Sequence, residues 1–277
     1  MTAEPIGLIA GWGRFPVLFV QKAQSLGIPV VCIGIRGMAD RAQLEPYCHR
    51  FYWSRMAALN RPIRCFQREG VHRWTMAGKI FKVKLYSATR WISLLPDIRM
   101  IRFYFFRKRA SNADDTITLA LIDEFAREGL VCTSALELCP ELLVRNGVLT
   151  KRSPSTREEA DIEFGWTLAK EMGRLDVGQS VVVNERAVLA VEAIEGTDAA
   201  IRRAGELCPR GGFVIVKVAK PNQDMRFDVP AIGPSTIATI KAAGGRVLAI
   251  EAGKTILIDE EETVRVANEA GITIVAR

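Results

Sequence analysis

Histidine is nearly missing from this chain of 277 residues, His49 and His72 being the only two. That scarcity argues against His-rich zinc centres and dinuclear phosphoesterase sites, and a Ser-His-Asp triad would have to use one of those two. The six cysteines (Cys32, Cys48, Cys65, Cys132, Cys139, Cys208) contain no Cys-x-x-Cys pair. Scattered cysteines of this kind predict reduced, mostly buried thiols and a cytoplasmic address, not a disulfide or zinc framework. No uncharged apolar run reaches the ~18 residues that a helical membrane span needs, and residues 1–5 lack the basic start of a secretory signal. Internal repeats and low-complexity tracts are absent as well.

Apolar residues make up 49% of the chain and charged residues 25%, an ordinary globular composition for one or two domains. The formal charge of +7 is unevenly placed. Residues 50–109 hold fifteen Lys or Arg against only Glu69 and Asp97, so this window carries +13 and the remainder −6. Such a window attracts phosphates, anionic headgroups or nucleic acid. No helix-turn-helix or other nucleic-acid module accompanies it, so nucleic acid is not an expected partner. Within it, residues 99–109 interleave aromatics with cations. That segment is read either as a helix with a basic outer face or as a surface for a membrane or acyl chains.

A short apolar run at 6–10, a Gly11–Arg14 turn, an amphipathic stretch to Leu26, a stop at Gly27 and a second apolar run at 29–35 form a β–turn–α–β opening, the signature of a parallel sheet. Residues 51–109 show no clean period. Asp114 and Asp115 are expected to cap a helix over 116–128, followed by a short strand at 131–133. A boundary is expected between Asn146 and Ser155, dividing an N-terminal domain (1–147) from a C-terminal one (154–277). Ser155 with Glu158, or Thr156 with Glu159, offers a capping box for a helix reaching Met172. Strands follow at 180–183, 188–193, 213–217, 247–252, 255–258 and 273–275, with helices at 198–207, 234–243 and 259–270. Asp259 with Glu262 reads as another capping box. Both halves are thus α/β.

The turn at Gly11 and Gly13 has Pro16 where a dinucleotide fingerprint wants its third glycine, and Arg36 where it wants an acid after the second strand. This argues against a nicotinamide cofactor. The turn is either an N–H-lined phosphate site or a plain strand-to-helix turn. In residues 217–234 a buried-strand pattern empties into a polar loop with Lys217, Lys220, Asn222, Gln223, Asp224, Arg226 and Asp228. Open α/β sheets bind ligands at such strand-to-helix crossings. Two readings stay open: a divalent metal with a phosphorylated substrate, or a solvated loop whose acids and cations pair with each other. With so little histidine, oxygen ligands favour Mg²⁺ or Mn²⁺. Glu192, in an apolar run, is costly unless paired or metal-bound. Asp198 reads as a helix N-cap, and Glu251 as a sheet-edge acid facing the same cleft.

Several segments together resemble one family. They are Gly7–Gly13, Met76–Lys79 with Leu95–Asp97, Asn112–Asp115, Asp176–Val183, Ala190–Asp198, Lys217–Pro234 and Glu251–Gly253. The family is the histidine-poor, LpxI-type UDP-2,3-diacylglucosamine pyrophosphatases of lipid A biosynthesis, as found in alphaproteobacteria. The resemblance implies two α/β domains, the first Rossmann-like and the second mixed, joined by a mobile linker with the lipid held between them. It also implies Mg²⁺-dependent hydrolysis of UDP-2,3-diacylglucosamine to UMP and 2,3-diacylglucosamine 1-phosphate (lipid X), with water attacking the β-phosphorus. Asp224 falls on the family's essential aspartate, with Asp228 and Glu192 as further candidate metal ligands. Lys217 and Lys220 are expected to act in catalysis. Gly11, Gly13, Arg14, Lys79, Gln179, Thr197, Asn222, Gln223 and Arg226 are expected to hold substrate. The chain departs from the family pattern at Asn222, where glycine is common, and at Arg73–Trp74, where relatives often show Gly-His. Expected partners are the lipid substrate and product, the cytoplasmic face of the inner membrane, and a second copy of the chain, since closed symmetric pairs are common. A non-catalytic nucleotide- or lipid-binding module is the competing reading.

Overall fold

The computed structural model describes residues 3–80, 96–107, 114–221 and 223–277, with the backbone alone at 103–107 and 114–117. The chain forms two compact units, Met1–Cys139 and Pro140–Arg277. The division falls ahead of the Asn146–Ser155 stretch. Val144 N–H donates to Thr255 O at 2.9 Å, and Gly147–Val148 pairs antiparallel with the last strand, so residues 140–147 fold with the second unit.

The first unit runs β1 (Ile6–Ala10), α1 (Phe15–Ser25), β2 (Val30–Ile35), α2 (Arg41–Leu44), β3 (Arg50–Ser54), α3 (Asn60–Arg68), β4 (Arg73–Ala77), α4 (Ile98–Arg107), α5 (Asp114–Ala126) and β5 (Val131–Cys132). Helix α5 begins at Asp114 itself, not after an Asp114–Asp115 cap. The sheet order is β3-β2-β1-β4-β5 and every pair is parallel, which is the Rossmann-like arrangement. Its core is aromatic. Trp74 is fully buried, with its ring centroid 4.3 Å from that of Phe125 and 6.3 Å from that of Phe66, and its indole N–H donates to Leu130 O. Gly7 makes room for these rings, since a Cβ there would lie 2.8 Å from Phe66.

The second unit runs β6 (Gly147–Val148), α6 (Thr156–Arg174), β7 (Ser180–Asn184), β8 (Ala187–Val191), α7 (Thr197–Leu207), β9 (Val214–Lys217), β10 (Ala231–Ile232), α8 (Pro234–Ala243), β11 (Val247–Ile250), β12 (Ile256–Leu257), α9 (Glu260–Glu269) and β13 (Thr273–Ala276). Its main sheet is ordered β6-β13-β11-β9-β7-β8. The pairs β9–β11 and β11–β13 are parallel, and the other three are antiparallel. The pair β10–β12 stands apart as a two-stranded sheet.

Strand alternation sends side chains to two cores. Val182, Ile215, Leu248 and Ile274 pack with Ile201, Ile237, Ile240 and Ala267 of α7, α8 and α9. Val181, Val183, Val214, Val216, Val247 and Ala249 pack with Ile162 and Ala169 of α6. The Ser155–Glu158 capping box is present at the start of α6. The expected Asp259–Glu262 box is not. Asp259 sits at φ 46°, in the left-handed region, makes no side-chain cap bond, and Glu262 turns instead to Arg265.

One carboxylate ties two helices of the first unit together. Asp97 accepts the Asn60 N–H of α3 at 2.7 Å and the Met100 N–H of α4 at 2.8 Å. Asp97→Ala leaves both donors without this partner, and the expected loss is about 1–3 kcal/mol of stability. Denaturant unfolding measures it. An unchanged midpoint would show that the double cap carries no weight.

Candidate active site

Register builds the centre of the second unit's site. Ser180 at the start of β7 lies opposite Lys217 at the end of β9, and on its other side Glu192 N–H donates to Ser180 O at 2.8 Å. Three neighbouring strands thus place Glu192, Ser180 and Lys217 in one row. Alternation puts that row on the face covered by α7, because Ala190, Val182 and Ile215, each two residues away, belong to that core. Helix α7 then presents its first residue, Thr197. The Lys217 ammonium donates to Thr197 Oγ1 at 2.6 Å, and the Thr197 hydroxyl donates onward to Glu192 Oε1 at 2.9 Å. Ser180 Oγ stands 3.5 Å from the same hydroxyl.

Lys217 is 6% exposed and Glu192 8%. The second oxygen of Glu192, Oε2, is buried without a hydrogen-bond partner. Burying a carboxylate oxygen without a donor is costly, on the order of 1–3 kcal/mol, so this atom marks a position where a donor or cation is missing from the protein's own complement. Gly178 is required beside it, because a Cβ there would collide with Glu192 O.

Asp198 does not cap α7. Gly196, at φ 85°, takes the N-cap position and lets the helix open at Thr197, which leaves Asp198 in the first turn. Glu251 follows β11, an interior strand and not a sheet edge, and alternation turns it to the α6 face, away from Lys217. There it accepts from Lys170 at 2.5 Å and from Ala219 N–H at 2.8 Å, with Lys254 at 3.0 Å. Burial pushes its carboxyl upward, yet these lysines and the amide hold it below the ordinary carboxylate range. It is a structural ion pair, not a member of the same cleft.

The loop after β9 holds a second set of groups. Gln223 Oε1 accepts the Lys220 N–H at 2.8 Å, and its amide reaches Gln179 Oε1 at 3.5 Å. The Lys220 ammonium pairs with Asp176 at 2.5 Å. Asp224 is held by Arg226, which donates through its backbone N–H at 3.0 Å and its guanidinium at 2.6 Å. The guanidinium holds the Asp224 carboxyl below its ordinary range, against the upward push of burial. Asp228 has no side-chain partner among the described residues. The structure therefore does not gather Asp224, Asp228 and Glu192 into a protein-only cage: among the described residues no three of His, Cys, Asp and Glu converge. Asn222 lies outside the described residues.

In the first unit, Gly11, Gly13, Arg14 and Lys79 meet where the chain, having run from β1 out to β3, crosses back to β4. This is the topological switch point of the sheet. Trp12 and Lys79 exchange backbone hydrogen bonds at 2.9 and 2.8 Å, and a Cβ on Gly11 would lie 2.7 Å from Lys79 O. Gly13 takes φ 108° to turn into α1, whose N-cap position, Arg14, makes no side-chain cap bond.

Sequence reasoning passed over Ser180, Asp176 and Lys170. Ser180 and Asp176 stood within a quoted segment without a role. Their partners lie 17 and 44 residues away, and that of Lys170 lies 81 away, so no local spacing points to them.

Comparison with known proteins matches residues 5–142 to the LpxI N-terminal domain and residues 145–275 to the LpxI C-terminal domain. The UDP-2,3-diacylglucosamine pyrophosphatase LpxI of Caulobacter vibrioides is 32% identical over 279 residues, covering 97% of this chain and 96% of that protein. The bifunctional purine biosynthesis protein PurH of Roseobacter denitrificans is 28% identical over 142 residues, 46% of this chain and 24% of its own length. Among solved structures, the biotin carboxylase subunit of pyruvate carboxylase superposes at a TM-score of 0.27 and 15% identity, over 69% of this chain and 38% of that one. That likeness is too slight to bear on the fold.

The Arg226–Asp224 pair makes a pH prediction. A carboxylate held low contributes stability that is present above its unfolded titration range and is lost as pH falls through the depressed folded value. In Arg226→Gln the Asp224 carboxyl is expected to titrate at a higher pH than in wild type. Carbon-13 NMR of the carboxyl group reads this directly, and identical titration curves would remove Arg226 as the cause.

Proposed function

The chain belongs to the LpxI family, and on that basis we propose that it hydrolyses UDP-2,3-diacylglucosamine to UMP and 2,3-diacylglucosamine 1-phosphate. The observation that carries this reading is the match of both LpxI domains, in order, over 5–142 and 145–275. The chemistry at the end of β9 supports it. In the proposed reaction a water oxygen bonds to the β-phosphorus as the bond from that phosphorus to the bridging oxygen breaks. The bridging oxygen leaves with UMP, and the water's proton passes to Asp224.

Negative charge builds on the departing phosphate, and preorganised cations stabilise such charge best where water is scarce. Lys217, buried and aimed by Thr197, is one such cation, and Lys220 and Arg226 are the others. Gln179, Gln223 and Asn222 are proposed to steady phosphate oxygens alongside Thr197. Gly11, Gly13, Arg14 and Lys79 are proposed to receive another part of the substrate at the first unit's switch point.

The donor set suits Mg²⁺ better than a metal that wants a full protein cage. Mg²⁺ is commonly held by one or two carboxylates and completes its shell with water and substrate phosphate. Asp224 offers an ionised carboxylate, and Glu192 a buried oxygen that lacks a donor. Asp228 offers a third carboxylate, on the loop of Asp224, without a side-chain partner among the described residues. Bound there, Mg²⁺ or Mn²⁺ would supply charge neutralisation at the phosphates. Asp224→Ala is expected to cut UMP release by roughly 10²–10⁴-fold and leave substrate binding measurable, and chelation is expected to stop turnover until Mg²⁺ is restored. Carried out in ¹⁸O-water, the reaction is expected to label the sugar phosphate and not UMP. Near-wild-type turnover by folded Asp224→Ala, or label in UMP, would overturn the respective step. Binding of the substrate without any UMP release would favour a carrier.

No described helix is long and apolar enough to cross a membrane. A diacylated substrate resides in one, and we propose that the first unit meets it peripherally. In α3, Arg61, Arg64 and Arg68 recur at helical spacing on the exposed face without ion-pair partners among the described residues. Asp97 fixes the start of α3 to the start of α4, where Ile98 is 75% and Ile101 41% exposed and Arg102 is exposed too. Cations around protruding isoleucines suit an anionic leaflet. Arg99 faces the other way, paired with Glu124 and Glu128, and Lys108 and Arg109 lie outside the described residues. Reversing charge at Arg61 and Arg64 together is expected to weaken binding to phosphatidylglycerol-containing vesicles at least ~10-fold, each charge being worth about 1 kcal/mol there. Turnover of detergent-dispersed substrate should persist. Unchanged vesicle partition would remove this face.

A further inference from the structure

A second basic feature lies in the C-terminal unit, at the opposite edge of the sheet from Lys217. A depression of about 520 Å³ is lined by Glu158, Arg210, Gly212, Lys241, Gly244, Gly245, Arg246 and Ala270. Gly212 and Arg246 come just before β9 and β11, whereas Lys217 and Glu251 come at or after their ends. Four residues of strand separate the two edges, roughly 13 Å at the rise of an extended chain. The depression is therefore not part of the candidate active site.

Its glycines shape it. A Cβ on Gly211 would lie 2.6 Å from Gly244 O, and one on Gly245 would lie 2.7 Å from Ile240 Cγ2. Gly212 N–H donates to Gly244 O at 2.8 Å. The turn after α7 and the turn after α8 are thereby drawn together, and this brings Arg210 of the first to one depression with Lys241 and Arg246, which flank the second.

Among the described residues these three cations have no partner. None makes an ion pair or a side-chain hydrogen bond with any described residue. The sole carboxylate in the lining, Glu158, is already engaged: Arg152 donates to both its oxygens and Ser155 N–H donates to one of them. A plainer use for basic groups at this edge would be to cap helix C-termini. The bonds do not show that use. The Ile240 and Lys241 carbonyls of α8 accept from the backbone N–H groups of Gly244 and Gly245, and none of the three side chains hydrogen-bonds a carbonyl among the described residues. Like charges have been gathered and left unneutralised in a recess of a size common to small-ligand pockets.

We propose that this recess is a second anion site, which takes a phosphate group. Two guanidinium forks suit phosphate oxygens in paired hydrogen bonds, and Lys241 adds a point charge. The lining N–H groups of Gly212, Gly244, Gly245 and Arg246 are bonded within the protein, so recognition rests chiefly on the side chains and is strongly salt-dependent. The proposal does not depend on the hydrolase reading. The phosphate belongs either to a soluble ion or to a lipid headgroup, and the test separates these sources.

In full-length protein, the Nε–H NMR signals of Arg210 and Arg246 are followed in two titrations. One uses inorganic phosphate, and the other uses vesicles of phosphatidylcholine with or without phosphatidylglycerol. A saturable shift of both signals with free phosphate identifies a soluble ligand. A response only to vesicles containing phosphatidylglycerol identifies a headgroup. In Arg210→Ala/Arg246→Ala the affinity for the responding probe is expected to fall at least ~10-fold, while UMP release from detergent-dispersed substrate stays at the wild-type level. Arg210→Lys/Arg246→Lys, which keeps the charge and removes the forks, is expected to retain only part of the affinity. Failure of both signals to respond to either probe would overturn the proposal, as would equal phosphate affinity in wild type and the alanine double variant. The wild-type titrations stand even if that variant does not fold.

Discussion

A lysine ammonium taken out of water has to be met by oxygen, and Lys217 at the end of β9 imposes that demand on the second unit. Thr197 meets it and Glu192 backs Thr197, so the end of β8, the start of α7 and the end of β9 are fixed relative to one another by one chain of hydrogen bonds. Other features follow from the same requirement. Gly178 has no side chain because the strand carrying Glu192 closes over it. Gly196 takes a backbone angle that favours glycine, so that α7 starts one residue before the better capping residue, Asp198, and its first hydroxyl reaches the ammonium. Helix α7 gives up a side-chain cap, worth ~1 kcal/mol, for the orientation of Thr197.

The sheet keeps this group separate from a second one of similar composition. One register position along, on the other face, Glu251 is enclosed by Lys170, Lys254 and an amide, and its charge is fully matched. On the α7 face the match is incomplete, with Glu192 Oε2 lacking a donor. Two buried acids that follow strands of the same sheet therefore differ in kind. The satisfied one fastens α6 to the sheet, and the unsatisfied one retains capacity for a ligand. Burial alone would not tell them apart, since both are 8% exposed.

Much of the fold was legible because its signals are local. The first β–α–β unit is punctuated by Gly13, Pro16 and Gly27, and the Ser155–Glu158 box starts α6 where its spacing places it. Residues 50–77 were opaque for a physical reason. Strand β3 is an edge strand with half-buried aromatics, and α3 carries arginines through its exposed face, so neither shows a clean alternation of apolar and polar residues. The Asp259–Glu262 pattern misled because a capping box needs an extended N-cap residue, and Asp259 is left-handed. Within the site, Lys217, Thr197 and Glu192 were each visible as unusual residues. Their union was not, because it comes from the register of three strands. Glu251 was misplaced for the same reason, since one residue of alternation moves a side chain to the other face.

Two readings of the loop after β9, a ligand site or a set of mutually paired charges, turn out to be compatible. The structure shows the pairs: Asp224 with Arg226, and Lys220 with Asp176. All four side chains keep contact with solvent, and partly exposed pairs of this sort are typically worth only about 0.2–1 kcal/mol. A pyrophosphate presents several charged acceptors at once, so a cation that gives up one carboxylate can meet more than one oxygen. Exchanging a carboxylate for phosphate oxygens thus costs a cation little and returns more, whereas Lys217, sealed against Thr197 in the interior, has no comparable freedom. In the proposed reaction the loop's cations would change partners while the buried one stays in place. Asp224, released by Arg226 in that exchange, would become available as the phosphate binds.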